Sequence, residues 1–268
     1  MDQNSEPNSG SAAGQISVLH IPHSSRSIPA DERARLAISD TELEAELLRM
    51  TDAFTAEIFP PTIYEARRIV FPVSRLVCDV ERFADDAEES MSARGMGAVY
   101  TATSTESQLR PPLSSAERER IMTRWYRPHH ELLTLAVDHV LASEGRCLIV
   151  DCHSFSSKPL PHEPDQDLHR PDICIGTDPF HTPPDLVTAV VKAANDLGLA
   201  VVVDRPFAGA LAPAKHYQRD GRVKSVMIEV NRRLYMDERT GERIANFDRA
   251  AQAATNMLSA AAALLLES

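Results

Sequence analysis

Aromatic residues make up only 5% of the 268 positions. That excludes a core built on large rings and leaves the packing to Leu, Val, Ile and Ala. Lysine is almost absent: Lys158, Lys192, Lys215 and Lys224 are the whole set. Cationic contacts therefore fall to arginine, whose planar fork grips carboxylates bidentately. Positive charge as a whole is in deficit, with a formal net charge of -11. A nucleic-acid partner needs a basic surface and is not expected. A small anionic substrate needs only a local arginine cluster and stays open. No apolar run approaches the length of a membrane span. Met1 to Gly14 lacks the basic start and apolar stretch of a signal peptide, and is expected to be a disordered tail ahead of one catalytic domain over 15–268. The four cysteines, Cys78, Cys147, Cys152 and Cys174, form no C-x-x-C pair. Three lie in apolar strand-like runs, which predicts reduced, buried thiols and a cytoplasmic location. H-E-x-x-H, a Walker loop, G-x-G-x-x-G and G-x-S-x-G are all missing.

What is present is a 43% hydrophobic chain that alternates strand-like and helix-like segments. ISVLHIP at 16–22 reads as a buried strand ending at Pro22-His23. Ser39-Asp40-Thr41-Glu42 is a capping box, predicting a helix to about Phe59 that Pro60-Pro61 stops. IVFPV and RLVCDV, within 69–80, read as strands, and 81–97 as a long loop. Ser114-x-x-Glu117 opens a helical stretch to about Ser143, which Pro128 should kink or divide. RCLIVDC at 146–152 is a central-strand signal. A Pro-, His- and Asp-rich loop over 155–171 follows, then strands near 172–176, 199–204 and 223–230. Helices are expected near Asp185–Leu197 and Ala245–Leu266. Near-continuous apolar strands between helices point to a mostly parallel α/β sheet covered on both faces.

In such sheets, sites form at the carboxyl ends of strands. Three strand ends here carry reactive residues: His23, then Asp151-Cys152-His153-Ser154, then Glu229-Val230-Asn231-Arg232. Two imidazoles and a carboxylate on one sheet edge suit a catalytic metal, with three protein ligands and a nearby base. Asp151 sits two residues before His153, on the same strand face, and suits an outer partner orienting an imidazole. Each residue also has a plainer reading. His23 alone could be a loop residue, and Glu229 a strand-end carboxylate paired with Arg232 or Arg233. His129, His130, His139, His162, His169, His181 and His216 are read as surface or structural, with His162-Glu163 and His169 as an alternative, flexible metal site.

Six runs carry a resemblance. HIPHSSRSIP at 20–29, SRLVCDVERF at 74–83, GMGAVYT at 95–101, VDCHSF at 150–155, DRPFAGA at 204–210 and IEVNRRLYMDE at 228–238 together resemble the N-formylglutamate amidohydrolases in order and spacing. That family cleaves N-formyl-L-glutamate to formate and glutamate at the end of a histidine-degradation route. It is similar in fold to the zinc carboxypeptidase and deacylase group, a phosphorylase/hydrolase-like three-layer α/β/α sandwich with a mostly parallel mixed sheet. The resemblance implies a divalent metal, zinc first, held by His23 and His153, with Glu229 as the base. It departs from the wider group at one point. The acidic ligand three residues after the first His is here Arg26, so the acid must come from elsewhere. Asp52 is the choice, on the following helix in a strip with Leu48 and Phe59, where an acid is costly unless paired or metal-bound. Glu44, Glu46 and Glu81 are weaker alternatives. Arg75, Arg82 and Arg232, each near a strand end within a family-like run, are expected to hold substrate carboxylates, and Tyr100 or Asn231 to contact a developing oxyanion. Two other readings stand beside this one: a related zinc hydrolase of another N-acyl amino acid or short peptide, and a non-catalytic binding protein on the same scaffold.

Overall fold

The alternation of side chains along two strands decides which surfaces can be covered. Strands β1 (Ser17–Ile21) and β3 (Cys147–Phe155) are buried on both faces throughout. Val18, Cys147, Ile149 and Val223 point to one side and pack on Leu133, Val137, Val140 and Leu141 of a single long helix. Leu19, Ile21, Leu148, Val150, Val226 and Ile228 point to the other and meet two helices through Leu186, Val190, Ala254 and Leu258. The result is a three-layer α/β/α arrangement. The computed structural model describes residues 16–59 and 67–267. The expected N-terminal tail and the Pro60-Pro61 stop lie outside the described residues.

The remaining elements are β2 (Arg67–Val70), β4 (Ile173–Gly176), β5 (Val201–Val203), β6 (Val223–Asn231) and a small hairpin of β7 (Met236–Asp237) and β8 (Glu242–Arg243). Helices are α1 (Ala30–Arg33), α2 (Asp40–Met50), α3 (Thr55–Ile58), α4 (Ser115–Ile121), α5 (Arg127–Glu144), α6 (Pro184–Asn195) and α7 (Phe247–Glu267). The main sheet runs β2-β1-β3-β6-β4-β5. β2, β1, β3 and β6 are mutually parallel, while β4 pairs antiparallel with β6 and parallel with β5. Among the described residues no helix is long and apolar enough to cross a membrane, and all four cysteines are buried and free.

Two local expectations meet a different outcome, and the division expected at Pro128 takes the form of a π-type turn just ahead of it. Both capping boxes form, Ser39 with Glu42 and Ser114 with Glu117. However, α2 ends at Met50 rather than near Phe59: Thr51 is extended and Phe54 takes a left-handed φ of 65°. Tertiary bonds override helix propensity there, because the Asp52 N–H donates to the His23 carbonyl at 3.0 Å. RLVCDV is a buried irregular segment instead of a strand, with Val77 N–H turning back to Ser74 O and Asp79 N–H bonding Ala98 O. Ahead of Pro128, the helical stretch widens into a π-type turn over Met122–Tyr126, closed by Arg127 N–H on Met122 O. The proline then falls in the first turn of α5, where its missing N–H costs little.

Gly176 shows how tightly β4 is covered. A Cβ there would lie 2.2 Å from the Gly209 carbonyl oxygen and 2.3 Å from Met227 Cε. Gly176→Ala must push backbone, so it should lose about 1–3 kcal/mol of stability by urea unfolding. An unchanged midpoint would show that the strap over β4 yields freely.

Candidate functional site

Register brings the polar residues together. His20 lies opposite Asp151, and His153 opposite Glu229. Neighbours in parallel strands, and residues two apart on one strand, share a face. The face that is apolar over Val18, Cys147 and Ile149 thus turns polar over His20, Asp151, His153 and Glu229 toward the strand ends. His23 follows β1 by two residues, and Asp52 enters from the break after α2.

The Nδ1 atoms of His23 and His153 both face Asp52 Oδ2, at 3.7 and 3.1 Å. Their far nitrogens are each held by a carboxylate: His23 Nε2 by Asp79 at 2.8 Å and His153 Nε2 by Asp151 at 3.0 Å. This is the outer-shell pattern that fixes ring orientation and tautomer in metal-ligating histidines. His23 Nδ1 is buried with no hydrogen-bond partner. Two nitrogens and one carboxylate oxygen, converging with one nitrogen unsatisfied, fit a divalent ion that takes mixed N/O donors. Asp52 is itself positioned by Arg232, whose Nη2 donates to Oδ1 at 3.1 Å, and by the Ser154 N–H on Oδ2 at 3.2 Å. Burial opposes its ionisation, but the two histidines outweigh that and hold it well below the usual carboxylate range. Burial likewise opposes a charge on His153, and Asp151 and Asp52 overcome it, raising its pKa.

Glu229 has the opposite character. It is buried, its Oε2 has no hydrogen-bond partner, and burial pushes its pKa up to about 8 against the pull of His153. Behind the site lies a second group, His20, Glu81 and Asp151. His20 Nδ1 is 2.8 Å from Asp151 and 3.0 Å from Glu81, and its Nε2 is 2.7 Å from His129 Nε2. The contacts to Asp151 and His129 are hydrogen bonds, and Glu81 stands close as an ion-pair partner. Burial disfavours a charge on His20, yet the two carboxylates raise it to about 9. Burial, with His20 beside it, lowers His129 to about 2. A protonated His20 donating to a neutral His129 accounts for both.

A cleft of about 210 Å³ opens over this edge, lined among others by His23, Asp52, His153, Glu229, Arg82 and His162. A larger groove of about 540 Å³, beside Glu44, Leu48, Phe54 and Gly241, contains none of the buried donors. All three arginines singled out in the sequence reach the cleft, but they are differently engaged. Arg232 clamps Asp52. Arg75 is bound to Asp79 at 2.7 Å and to Tyr100 at 3.2 Å. Arg82 makes only long approaches, 3.6 Å to Asp79 and 3.8 Å to Glu89, and its Nε is without a partner.

Glu44 lies on the surface with Arg26, and Glu46 is buried on the Ser104 N–H. His162 and Glu163 line the cleft, but Glu163 is paired with Arg170 and His169 is exposed beside Asp167. That loop forms no donor set. Asn231 caps the turn after β6 through Arg233 N–H, and its amide donates to Pro171 O. Tyr100 donates its hydroxyl to Asp79. Asp79 and His20 belong to this edge and were not singled out in the sequence, while His129, read there as surface or structural, is buried against His20. Asp79 had a signal of the kind used for Asp52, an acid inside an apolar run. His20 stands in the middle of a buried strand, and His129 carried no signal of its own.

Two solved structures share the architecture. One is the N-formylglutamate amidohydrolase from Ralstonia eutropha JMP134, with a TM-score of 0.82 at 22% identity over 94% of each chain. The other is a gene product of Agrobacterium tumefaciens, with a TM-score of 0.70 at 22% identity over 98% of this chain and 95% of that one. No curated protein sequence matches the chain. The fold is thus a mixed-sheet α/β fold, shared with that solved amidohydrolase. The sequence model of the N-formylglutamate amidohydrolases matches residues 17–236, and the chain belongs to that family.

The His20 cluster generates a pH prediction. Its pKa is raised from 6.5 to about 9 on folding, so its contribution is fully present below pH 6.5 and lost as pH rises through 9. In chelated protein, His20→Gln should therefore destabilise more near pH 6 than near about pH 9.5, measured by urea unfolding. An equal loss at both pH values would remove the charge from His20.

Proposed function

We propose that the protein is a metal-dependent amidohydrolase that cleaves N-formyl-L-glutamate to formate and glutamate. The observation that carries this reading is the buried, unpartnered His23 Nδ1 facing Asp52 and His153, with the free carboxylate oxygen of Glu229 in the same cleft. His23, Asp52 and His153 would hold the ion, and their N,N,O donor set favours zinc. When bound, such an ion supplies Lewis acidity to an amide carbonyl and makes water a better nucleophile at neutral pH.

The chain's own groups do the rest. Glu229 takes the proton of the attacking water and passes it to the leaving nitrogen. A carboxyl group lifted toward neutrality by burial is suited to both halves of that transfer. Arg82, least engaged of the three arginines, takes a substrate carboxylate, with Arg75 beside it. Arg232 keeps Asp52 in place. The buried free thiols support a reducing, cytoplasmic setting. A hydrolase of another N-acyl amino acid would use the same donors and differ in the cationic wall.

The purified protein should carry about one divalent ion per chain, and His153→Ala should lose metal and activity together. Full metal occupancy in that variant would remove the assignment. Glu229→Gln should keep fold and metal but lose turnover by roughly 10²–10⁴-fold; near-normal kcat would leave Glu229 a structural carboxylate.

For specificity, kcat/KM should favour N-formylglutamate over N-formylmethionine. Arg82→Ala should raise KM more than it lowers kcat, because carboxylate binding is the same in ground and transition states. Equal kcat/KM for the two substrates would sink the dicarboxylate preference and leave the hydrolase reading standing.

A further inference from the structure

The cleft is divided by chemistry along the direction of strand order. On the β1 side stand Arg75, bound to Asp79, and Arg82, 3.6 Å from it, and Asp79 in turn holds His23. Next come His153 on β3 and Glu229 on β6. Beyond them, on the β4 side, the lining changes to Met227, Phe207 and Ala208. Met227 lies two residues before Glu229 on the same strand face, and so forms the floor beside that carboxylate. It pairs with Gly176. The residues Phe207 to Gly209 strap this side: Cys174 Sγ contacts the Phe207 carbonyl at 3.1 Å. Gly176 leaves the space into which Met227 Cε and the Gly209 carbonyl both press. Phe207 packs on Phe155, also in the lining, their rings 5.8 Å apart, and the Arg170 guanidinium lies over both. The far wall is thus apolar and firmly backed.

A secondary amide in its trans form sends its two substituents in opposite directions. If the amino-acid half, with its carboxylates, turns to Arg75 and Arg82, the acyl half must point toward Met227, Phe207 and Ala208. We propose that these three residues form the acyl pocket, and that Met227 sets the length of acyl group the site accepts. This rests on the amidohydrolase reading above and extends it. Formyl fits over Met227, and a longer aliphatic chain meets its thioether.

The test compares N-formyl-, N-acetyl- and N-butyryl-L-glutamate on zinc-loaded protein. Turnover is measured as kcat/KM, and binding by calorimetry in a Glu229→Gln background. Met227→Ala should shift both ratios toward butyryl by roughly tenfold or more, the usual effect of a methylene or two in an apolar pocket. Ala208→Leu, at an exposed position that leaves the core untouched, should shift them toward formyl. That second variant decides the matter if Met227→Ala fails to fold. Ratios unmoved in the folded variants, or equal binding of formyl and butyryl by the unsubstituted pocket, overturn the proposal. Formylglutamate cleaved with flat ratios leaves the hydrolase reading and removes the pocket. No cleavage of any of the three, with binding ratios that shift as stated, removes the hydrolase reading and leaves the pocket.

Discussion

A carboxylate that is 2% exposed organises the polar edge of the sheet. Asp52 cannot be buried as an anion without partners, since an unpaired charge in such surroundings costs several kcal/mol. It is hydrogen-bonded by His153, Arg232 and the Ser154 N–H, with His23 and Arg75 further off at 3.7 and 3.9 Å. Meeting them ends α2 at Met50, about two and a half turns earlier than its sequence pattern suggests. It also draws together β1, β3 and the turn after β6, elements far apart along the chain. The charge on Asp52 therefore fixes where the two imidazoles stand and explains why Arg232 faces inward.

Asp79 plays the matching part on the outer side. Burial works against its ionisation, but Arg75 above all, with His23 and Arg82, keeps it an anion. One carboxylate so spans the metal-ligand candidate His23 and the cationic wall, through His23 Nε2 at 2.8 Å and Arg75 Nη2 at 2.7 Å. A shift of the ring and a shift of the arginine are mechanically coupled. Arg82, held only by long approaches among the described residues, is left to adjust to what enters the cleft.

How much of this was legible in the sequence follows from how local each signal is. Capping boxes, the strand at 146–152 and the helices on either side of β5 are written in neighbouring residues and form as expected. His23, His153 and Glu229 could be placed at one edge because strand ends are local and a mostly parallel sheet aligns them. Asp52 could be named, but not its setting, because the break after Met50 answers to the His23 carbonyl and to Arg232, 180 residues away. RLVCDV looked like a strand because its apolar residues are buried. What they bury in is a satellite core under a loop, with no sheet neighbour. His129 became visible only through His20, a contact spanning 109 residues.

The switch from apolar to polar along one face of the sheet also bears on how the strands find one another. β3 and β6 are matched over nine pairs, from Cys147 with Val223 to Phe155 with Asn231. Sliding either strand by two residues preserves the inward and outward sense of every side chain, so the hydrophobic pattern alone hardly distinguishes that alignment from the native one. The ionisable residues do. A slip would carry Asp151 and His153 past His20 and Glu229, leaving buried charges without partners. The ionisable groups of the cleft thereby serve as an alignment key for the central strands, and the pairing that assembles the polar edge is the one in which that charge is satisfied.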